Sequence, residues 1–242
     1  MQIIKTKNYD EMSEKAASIF ISQVNAKPTS VLGLATGSSV LGLYENLIKS
    51  HKNDNLDFSQ IKTVNLDEYA GLSGTNDQSY RYYMDNNLFK HINIKPENTH
   101  LPDGLAKDLR AECKRYNAEI TSLGGIDIQL LGLGLNGHIG FNEPDDIFVK
   151  ETHLVDLDEI TIKANSRFFA NEKDVPRQAI TMGIQNIMHA KKIVLCVSGK
   201  AKANILKEVL FGAITPKVPG SILQLHPDLT IVADEDALSE IS

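Results

Sequence analysis

Short, mostly apolar runs alternate with longer amphipathic stretches along the chain. Strands are predicted at residues 30–35, 61–66, 126–133, 192–197 and 229–233. Helices are predicted at residues 40–50, about 78–89, 105–122 and 200–211, where apolar side chains recur every three or four positions. Because the strands are apolar on both faces and helices separate them, the pattern predicts an α/β fold. We expect a Rossmann-like three-layer domain with a mostly parallel sheet.

Composition narrows the class of protein. The 242 residues contain no repeat or Pro/Gly/Ser-rich linker, so one domain over 1–242 is expected. The net charge of −6 argues against nucleic acid as the main partner. The amino terminus lacks the apolar run of a signal peptide, and no stretch is long and apolar enough to cross a membrane, which indicates a cytoplasmic protein. Cys113 and Cys196 lie among apolar residues and are predicted to be core thiols.

Parallel sheets bind ligands beyond the carboxyl ends of their strands, so residues just past each predicted strand are the candidates. Thr36, Gly37 and Ser38 follow the first strand and lead into a helix. Gly37 permits a tight turn there. The hydroxyls could cap the helix, or the turn could bind a phosphate through its free N–H groups. The residues alone leave both interpretations open.

Two adjacent carboxylates, Asp67 and Glu68, follow the second strand. On extended chain they point to opposite faces, so at most one enters a given cleft. That one could bind a metal, act as a base or face solvent.

The sequence after the third long strand is dense in glycine. Residues 132–137 match the G-x-G-x-x-G dinucleotide fingerprint, but this fingerprint must open a helix. Gly140 and Pro144 follow too closely for one. Nicotinamide and flavin binding are therefore excluded, and His138 with Glu143 is predicted to form an acid/base pair in a loop.

Two cations complete the candidate set. Arg167 lies in a polar segment beside two phenylalanines, and Lys202 follows the fourth strand. Each could be an ordinary surface charge. Alternatively, the Arg167 fork and the Lys202 ammonium could hold an anion.

Five segments together resemble the glucosamine-6-phosphate deaminase family, in family order and across nearly the whole chain. They are residues 33–38, 65–69, 137–144, 164–169 and 223–227. The resemblance implies conversion of D-glucosamine 6-phosphate and water to D-fructose 6-phosphate and ammonia in amino-sugar catabolism, without metal, nicotinamide or pyridoxal cofactor.

The resemblance also implies roles for particular residues. His138, oriented by Glu143, would open the sugar ring, and Asp67 would move a proton between C2 and C1. The phosphate cradle would consist of Thr36, Gly37, Ser38, Arg167 and Lys202. Family members often carry aspartate at the position of Asn136, which is counted here with the catalytic set. Because an asparagine supplies no charge, Glu143 would balance His138 alone.

The resemblance bears on regulation too. Longer members of the family are hexamers activated by N-acetylglucosamine 6-phosphate. The positions corresponding to that activator site are Asp146, Ile147, His153 and Val155, which are poor phosphate ligands. We therefore expect a monomer or small homo-oligomer with hyperbolic kinetics.

Two other functions compete with this one. A 6-phosphogluconolactonase would share the fold and a Gly-His loop, but it would hydrolyse an ester. A non-catalytic sugar-phosphate sensor would share the architecture, but residues 1–30 are too short for a DNA-binding helix pair. Release of ammonia from glucosamine 6-phosphate separates the deaminase from the lactonase, and calorimetry together with the ammonia assay exposes a sensor, which would bind without turnover.

Overall fold

The structure, a computed structural model, describes residues 1–157, 162 and 175–241. Its main sheet has seven strands in the order β1–β10–β9–β6–β2–β3–β5, and all neighbours pair in parallel. The strands are β1 (Gln2–Thr6), β2 (Val31–Leu34), β3 (Lys62–Asn65), β5 (Thr99–His100), β6 (Ile128–Leu131), β9 (Lys192–Val197) and β10 (Leu229–Asp234). The predicted α/β class and the parallel sheet are confirmed.

The strand order creates a crevice at one point of this sheet. The chain proceeds from β2 outward to β3 and β5, returns to β6 beside β2, and then proceeds outward the other way to β9 and β10. The direction of progression therefore reverses between β2 and β6. Ligands of open α/β sheets bind at such a switch point, beyond the carboxyl ends of the strands.

Six α-helices flank the sheet in the described part of the chain. They are α1 (Tyr9–Ala26), α2 (Leu41–Asp54), α3 (Tyr80–Asn87), α4 (Leu109–Ser122), α5 (Ile184–Met188) and α6 (Ala203–Phe211). The predicted stripe at 105–122 begins later because Asp108 caps α4, its side chain accepting the N–H groups of Arg110 and Ala111. Strand β1 and helix α1 were not among the predicted elements.

A second, antiparallel sheet stands outside the predicted architecture. It joins β4 (Asp67–Tyr69), β8 (Gln178–Thr181) and β7 (His153–Asp156) in the order β4–β8–β7. Only Leu66 separates β3 from β4, so the chain passes directly from the main sheet into this one. Asp67 lies just past β3, as expected, and it also opens a new strand, opposite Thr181.

The core lies on both faces of the main sheet, where β6 and β10 are buried along their whole length. Cys113 and Cys196 are buried free thiols, as predicted. None of the helices within the described ranges is both long and apolar enough to span a bilayer.

Candidate active site

The loop that follows β6, residues 132–144 and hereafter the β6 loop, is the meeting point of the candidate residues. At its start, a Cβ built on Gly132 would lie 3.9 Å from the Cβ of Ser39. The next residue, Leu133, accepts a hydrogen bond at 2.7 Å from the Lys202 ammonium. Further on, a Cβ on Gly140 would lie 3.4 Å from Asp67 Oδ2. Chain segments following three strands of the main sheet therefore converge on this one loop.

Asp67 is a buried carboxyl group at the start of β4. Its side chain is enclosed by protein, and the residue is only 6% exposed. Burial, followed by the nearby Glu68 carboxylate, raises the pKa of Asp67 to about 8. A carboxyl group with such a pKa exchanges protons readily near neutral pH, as a general base that must also return its proton requires.

Glu68 points the other way, as the alternation along a strand predicts. Its carboxylate accepts the N–H groups of Tyr69, Tyr80 and Arg81 at 2.8–2.9 Å and thereby caps the first turn of α3. Burial raises the pKa of Glu68, against the effect of these three donors. The role of Glu68 is to anchor α3 beside the strand that carries Asp67.

His138 and Glu143 form the predicted pair. Nδ1 of His138 lies 3.2 Å from Oε2 of Glu143, and the imidazole remains partly accessible while the carboxylate is nearly covered. Asn136 joins the two residues. Its amide nitrogen donates to Glu143 Oε2 at 2.7 Å, and its amide oxygen accepts the N–H of His138 at 3.2 Å. Asn136 thus orients the pair without adding charge.

The β6 loop forms turns rather than a helix, so it lacks the helix start that the dinucleotide-binding fingerprint requires. A Cβ on Gly134 would lie 2.4–2.5 Å from the His138 ring, which is closer than real contacts allow. Gly140 has φ +60° and faces both Thr181 and Asp67. Both glycines are required because side chains of the site pass over the backbone.

The turn after β2, residues 36–39 and hereafter the β2 turn, leads into α2 through a 3₁₀ turn over Ser38–Val40. Gly37, with φ +106°, is the residue immediately before this turn, and no side chain makes a capping hydrogen bond to the turn. The helix-cap interpretation of the hydroxyls is therefore wrong. The N–H groups of Ser38 and Ser39 stand at the start of a helical turn, where donors have no partner within the turn. Such donors suit an anion.

Lys202 lies at the end of a 3₁₀ turn over Lys200–Lys202 that leads into α6. Burial lowers the pKa of Lys202 to about 8. Its contact with Leu133 places the ammonium at the start of the β6 loop, close to the β2 turn. Arg167 lies outside the described residues.

Within the described ranges, no three His, Cys, Asp or Glu side chains converge as metal ligands would. What does converge is a buried carboxyl group, an imidazole–carboxylate pair and the glycine-containing turn that leads into α2. The fold and this site define an α/β protein built for proton transfer on an anionic substrate. The chain belongs to the family of glucosamine-6-phosphate isomerases and 6-phosphogluconolactonases, whose family model matches residues 5–231.

Relatives within this family are close. A glucosamine-6-phosphate deaminase of Lachnoclostridium phytofermentans is 59% identical over 96% of this chain and 98% of its own length. One of Clostridioides difficile is 52% identical over 100% and 97%. The solved structure of a monomeric glucosamine-6-phosphate deaminase is 48% identical and superimposes with a TM-score of 0.97, covering 99% of this chain and 100% of that one. A 6-phosphogluconolactonase of Thermotoga maritima, with a TM-score of 0.75 at 20% identity over 97% and 99%, shares the fold.

Several residues that shape this site were not predicted from the sequence. Gly134 and Gly140 were seen only as part of a glycine-rich loop, although their number in so short a segment is itself a signal of close packing against the backbone. Tyr9 and Tyr83, whose hydroxyls contact the β2 turn, gave no signal because they come from distant helices.

Proposed function

We propose that this protein converts D-glucosamine 6-phosphate and water to D-fructose 6-phosphate and ammonia. The observation that carries the proposal is the convergence of Asp67, the His138–Glu143 pair and the β2 turn on the β6 loop. A sugar phosphate that undergoes isomerisation needs these three groups: one for ring opening, one for carbon acid chemistry and one for the phosphate. The sequence relatives named above support the same activity.

Ring opening requires a proton to leave O1 and another to reach O5. An imidazole can both accept and donate a proton, and the His138 ring is partly exposed beside the Glu143 carboxylate, so it suits both transfers. Glu143 compensates the charge of the imidazolium, and Asn136 keeps both side chains in place. His138, Glu143 and Asn136 therefore act together in this step.

Isomerisation then moves a proton from C2 to C1 of the open-chain sugar. Asp67 removes the C2 proton as a carboxylate and returns a proton to C1, so the carboxyl group ends as it began. In the same rearrangement a proton passes from the C2 amino nitrogen to O1, so the C1 aldehyde becomes a hydroxymethyl group and the C2 amine becomes an imine. Water adds to C2, the C2–N bond breaks, ammonia leaves and a ketone remains.

Phosphate recognition supplies binding energy that orients the reacting carbons. The backbone N–H groups of the β2 turn, the Thr36 and Ser38 hydroxyls, and the Lys202 ammonium would hold the phosphate, with Arg167 as a further ligand. The turn at Gly37 lets the backbone approach the anion closely.

The test is to incubate the purified protein with glucosamine 6-phosphate and measure ammonia and fructose 6-phosphate, with 6-phosphogluconolactone as a parallel substrate. We expect both products from the amino sugar and no accelerated hydrolysis of the lactone. Lactone hydrolysis without ammonia would favour the other activity of the family, and phosphate binding without turnover would favour a sensor.

We further propose that the chain works as one domain over 1–242 in the cytoplasm, as a monomer or small homo-oligomer. The monomeric state of the structurally similar deaminase supports this assembly. Light scattering of the purified protein measures it directly.

A further inference from the structure

Tyrosine hydroxyls surround the β2 turn. The Tyr83 hydroxyl, from α3, donates to the carbonyl oxygen of Gly37 at 2.8 Å. The Tyr9 hydroxyl, from the first residue of α1, donates to the carbonyl oxygen of Ser38 at 2.8 Å. Two successive carbonyl groups of the turn are therefore held from two different helices.

These bonds fix the direction of the N–H groups as well. A trans peptide unit is planar, with its C=O and N–H pointing in opposite directions. The carbonyl of Gly37 shares a peptide unit with the N–H of Ser38, and the carbonyl of Ser38 shares one with the N–H of Ser39. Because each tyrosine holds one carbonyl, the N–H of the same peptide unit is directed away from that tyrosine.

The turn needs such support because Gly37, at φ +106°, gives it conformational freedom that other residues lack. Tyr9 provides a second tie, since its hydroxyl also accepts the N–H of Gly42 at 2.8 Å in the first turn of α2. The Tyr44 hydroxyl holds the carbonyl of Ala35, the residue before the turn, at 2.5 Å. The carbonyls of Ala35, Gly37 and Ser38 are thus all occupied by tyrosine hydroxyls.

We propose that Tyr9 and Tyr83 are positioning residues for phosphate, which aim the N–H groups of Ser38 and Ser39 at the anion. Donors that are already oriented bind an anion without the cost of ordering the turn. The inference rests on the proposed function for the identity of the substrate, but its test requires only inorganic phosphate.

The test compares Tyr9→Phe, Tyr83→Phe and the double variant with the parent protein. Calorimetric titration with inorganic phosphate should show Kd raised about 3- to 10-fold by each single change, because a hydrogen bond to a charged group is weakened rather than deleted. The KM for glucosamine 6-phosphate should rise by the same factor while kcat stays nearly constant, since phosphate contacts bind substrate and transition state alike.

Two other tyrosines provide matched controls. Tyr82 is exposed on the same helix as Tyr83, and Tyr82→Phe should leave both stability and phosphate affinity unchanged. Tyr116 is buried, and its hydroxyl donates to the Asn65 carbonyl of β3 at 2.6 Å rather than to a carbonyl of the β2 turn. Tyr116→Phe should lower the midpoint of thermal unfolding without changing phosphate affinity.

Unchanged phosphate affinity in the double variant would overturn the inference, as would an equal loss in Tyr116→Phe or a parent protein that does not bind phosphate. Weakened phosphate binding in the tyrosine variants, together with no release of ammonia by the parent, would support the inference and refute the proposed function.

Discussion

At the scale of single residues, two neighbouring carboxyl groups serve different purposes. Glu68 receives three backbone N–H donors, whereas Asp67 is buried with a pKa raised to about 8. Ionising Asp67 at neutral pH costs free energy in the folded state but not in the unfolded state, because an unfolded aspartate ionises near pH 4. The protein retains a destabilising group where the proposed chemistry needs a base.

Asp67→Asn should therefore stabilise the protein. Between about pH 4 and pH 8 the folded parent holds a proton on Asp67 that the unfolded chain has lost, so this group makes the parent less stable as pH rises. We expect the free energy of unfolding of Asp67→Asn to exceed that of the parent by an amount that grows over this range and levels off above it. Urea denaturation at several pH values measures the difference.

Asp127→Asn is the matched control because the pKa of Asp127 is shifted in the opposite direction, so the substitution should change the free energy of unfolding in the opposite direction. Asp127 is also covered by protein, but hydrogen bonds from Lys191 and Lys27 overcome the effect of burial and lower its pKa. The Asp127 carboxylate stabilises the folded protein at pH values above its pKa in the unfolded chain. This stabilisation is lost as the pH falls through the lower pKa of Asp127 in the folded protein. Asp127→Asn should be less stable than the parent at neutral pH. A loss of stability in Asp67→Asn as well would contradict our account of Asp67.

Asn136→Asp should move the acid limb of the pH profile of kcat/KM. The new carboxylate would lie about as close to Glu143 Oε2 as the amide nitrogen does now, at 2.7 Å. Two carboxyl groups at this distance share a proton, so the pair ionises fully only at higher pH. We expect activity at acidic pH to fall while the KM at the optimum changes little. Superimposable profiles would mean that Asn136 does not influence the charge of the pair.

At the scale of elements, the sequence predicts what apolar periodicity controls. Apolar runs in the sequence coincide with strands β2, β6 and β9, and an apolar stripe coincides with helix α2, so these elements could be predicted. The antiparallel sheet could not, because β4 consists of Asp67, Glu68 and Tyr69 and becomes a strand only by pairing with β8 far along the chain. The His138–Glu143 pair was predictable because its members lie five positions apart in one loop, whereas the contacts of Gly134 depend on how the loop folds.

Two glycines of the β6 loop give a test at this scale. A methyl group added by Gly134→Ala would overlap the His138 ring at 2.4–2.5 Å and must displace it from Glu143. Gly132→Ala would meet its nearest neighbour at 3.9 Å, an ordinary contact. We expect Gly134→Ala to lower kcat by about 10-fold or more, in keeping with a displaced acid/base group, and Gly132→Ala to retain activity. Equal activities in the ammonia assay would show that ring placement is not limiting.

At the scale of the whole molecule, the region expected to correspond to the activator site of longer relatives offers little to a phosphate. Asp146 is exposed and pairs with Lys217 at 2.5 Å, and Ile147 is largely exposed and apolar. Burial lowers the pKa of His153, which disfavours the charged imidazolium that would attract a phosphate. A ligand without differential contacts cannot shift a conformational equilibrium.

Initial rates should therefore depend hyperbolically on the concentration of glucosamine 6-phosphate, and N-acetylglucosamine 6-phosphate should not increase them. The measurement is a saturation curve with and without the acetylated sugar phosphate. A sigmoidal curve that becomes hyperbolic when it is added would refute this expectation.

We propose that this chain deaminates an amino-sugar phosphate by a proton transfer through Asp67. The most direct test measures ammonia and fructose 6-phosphate from glucosamine 6-phosphate with the parent and with Asp67→Asn. We expect the parent to form the two products in equal amounts. In Asp67→Asn we expect both rates to fall about 10²- to 10⁴-fold with substrate still bound, as loss of a positioned base requires. Product formation by Asp67→Asn at the parent rate, or no ammonia from the parent, would contradict the account.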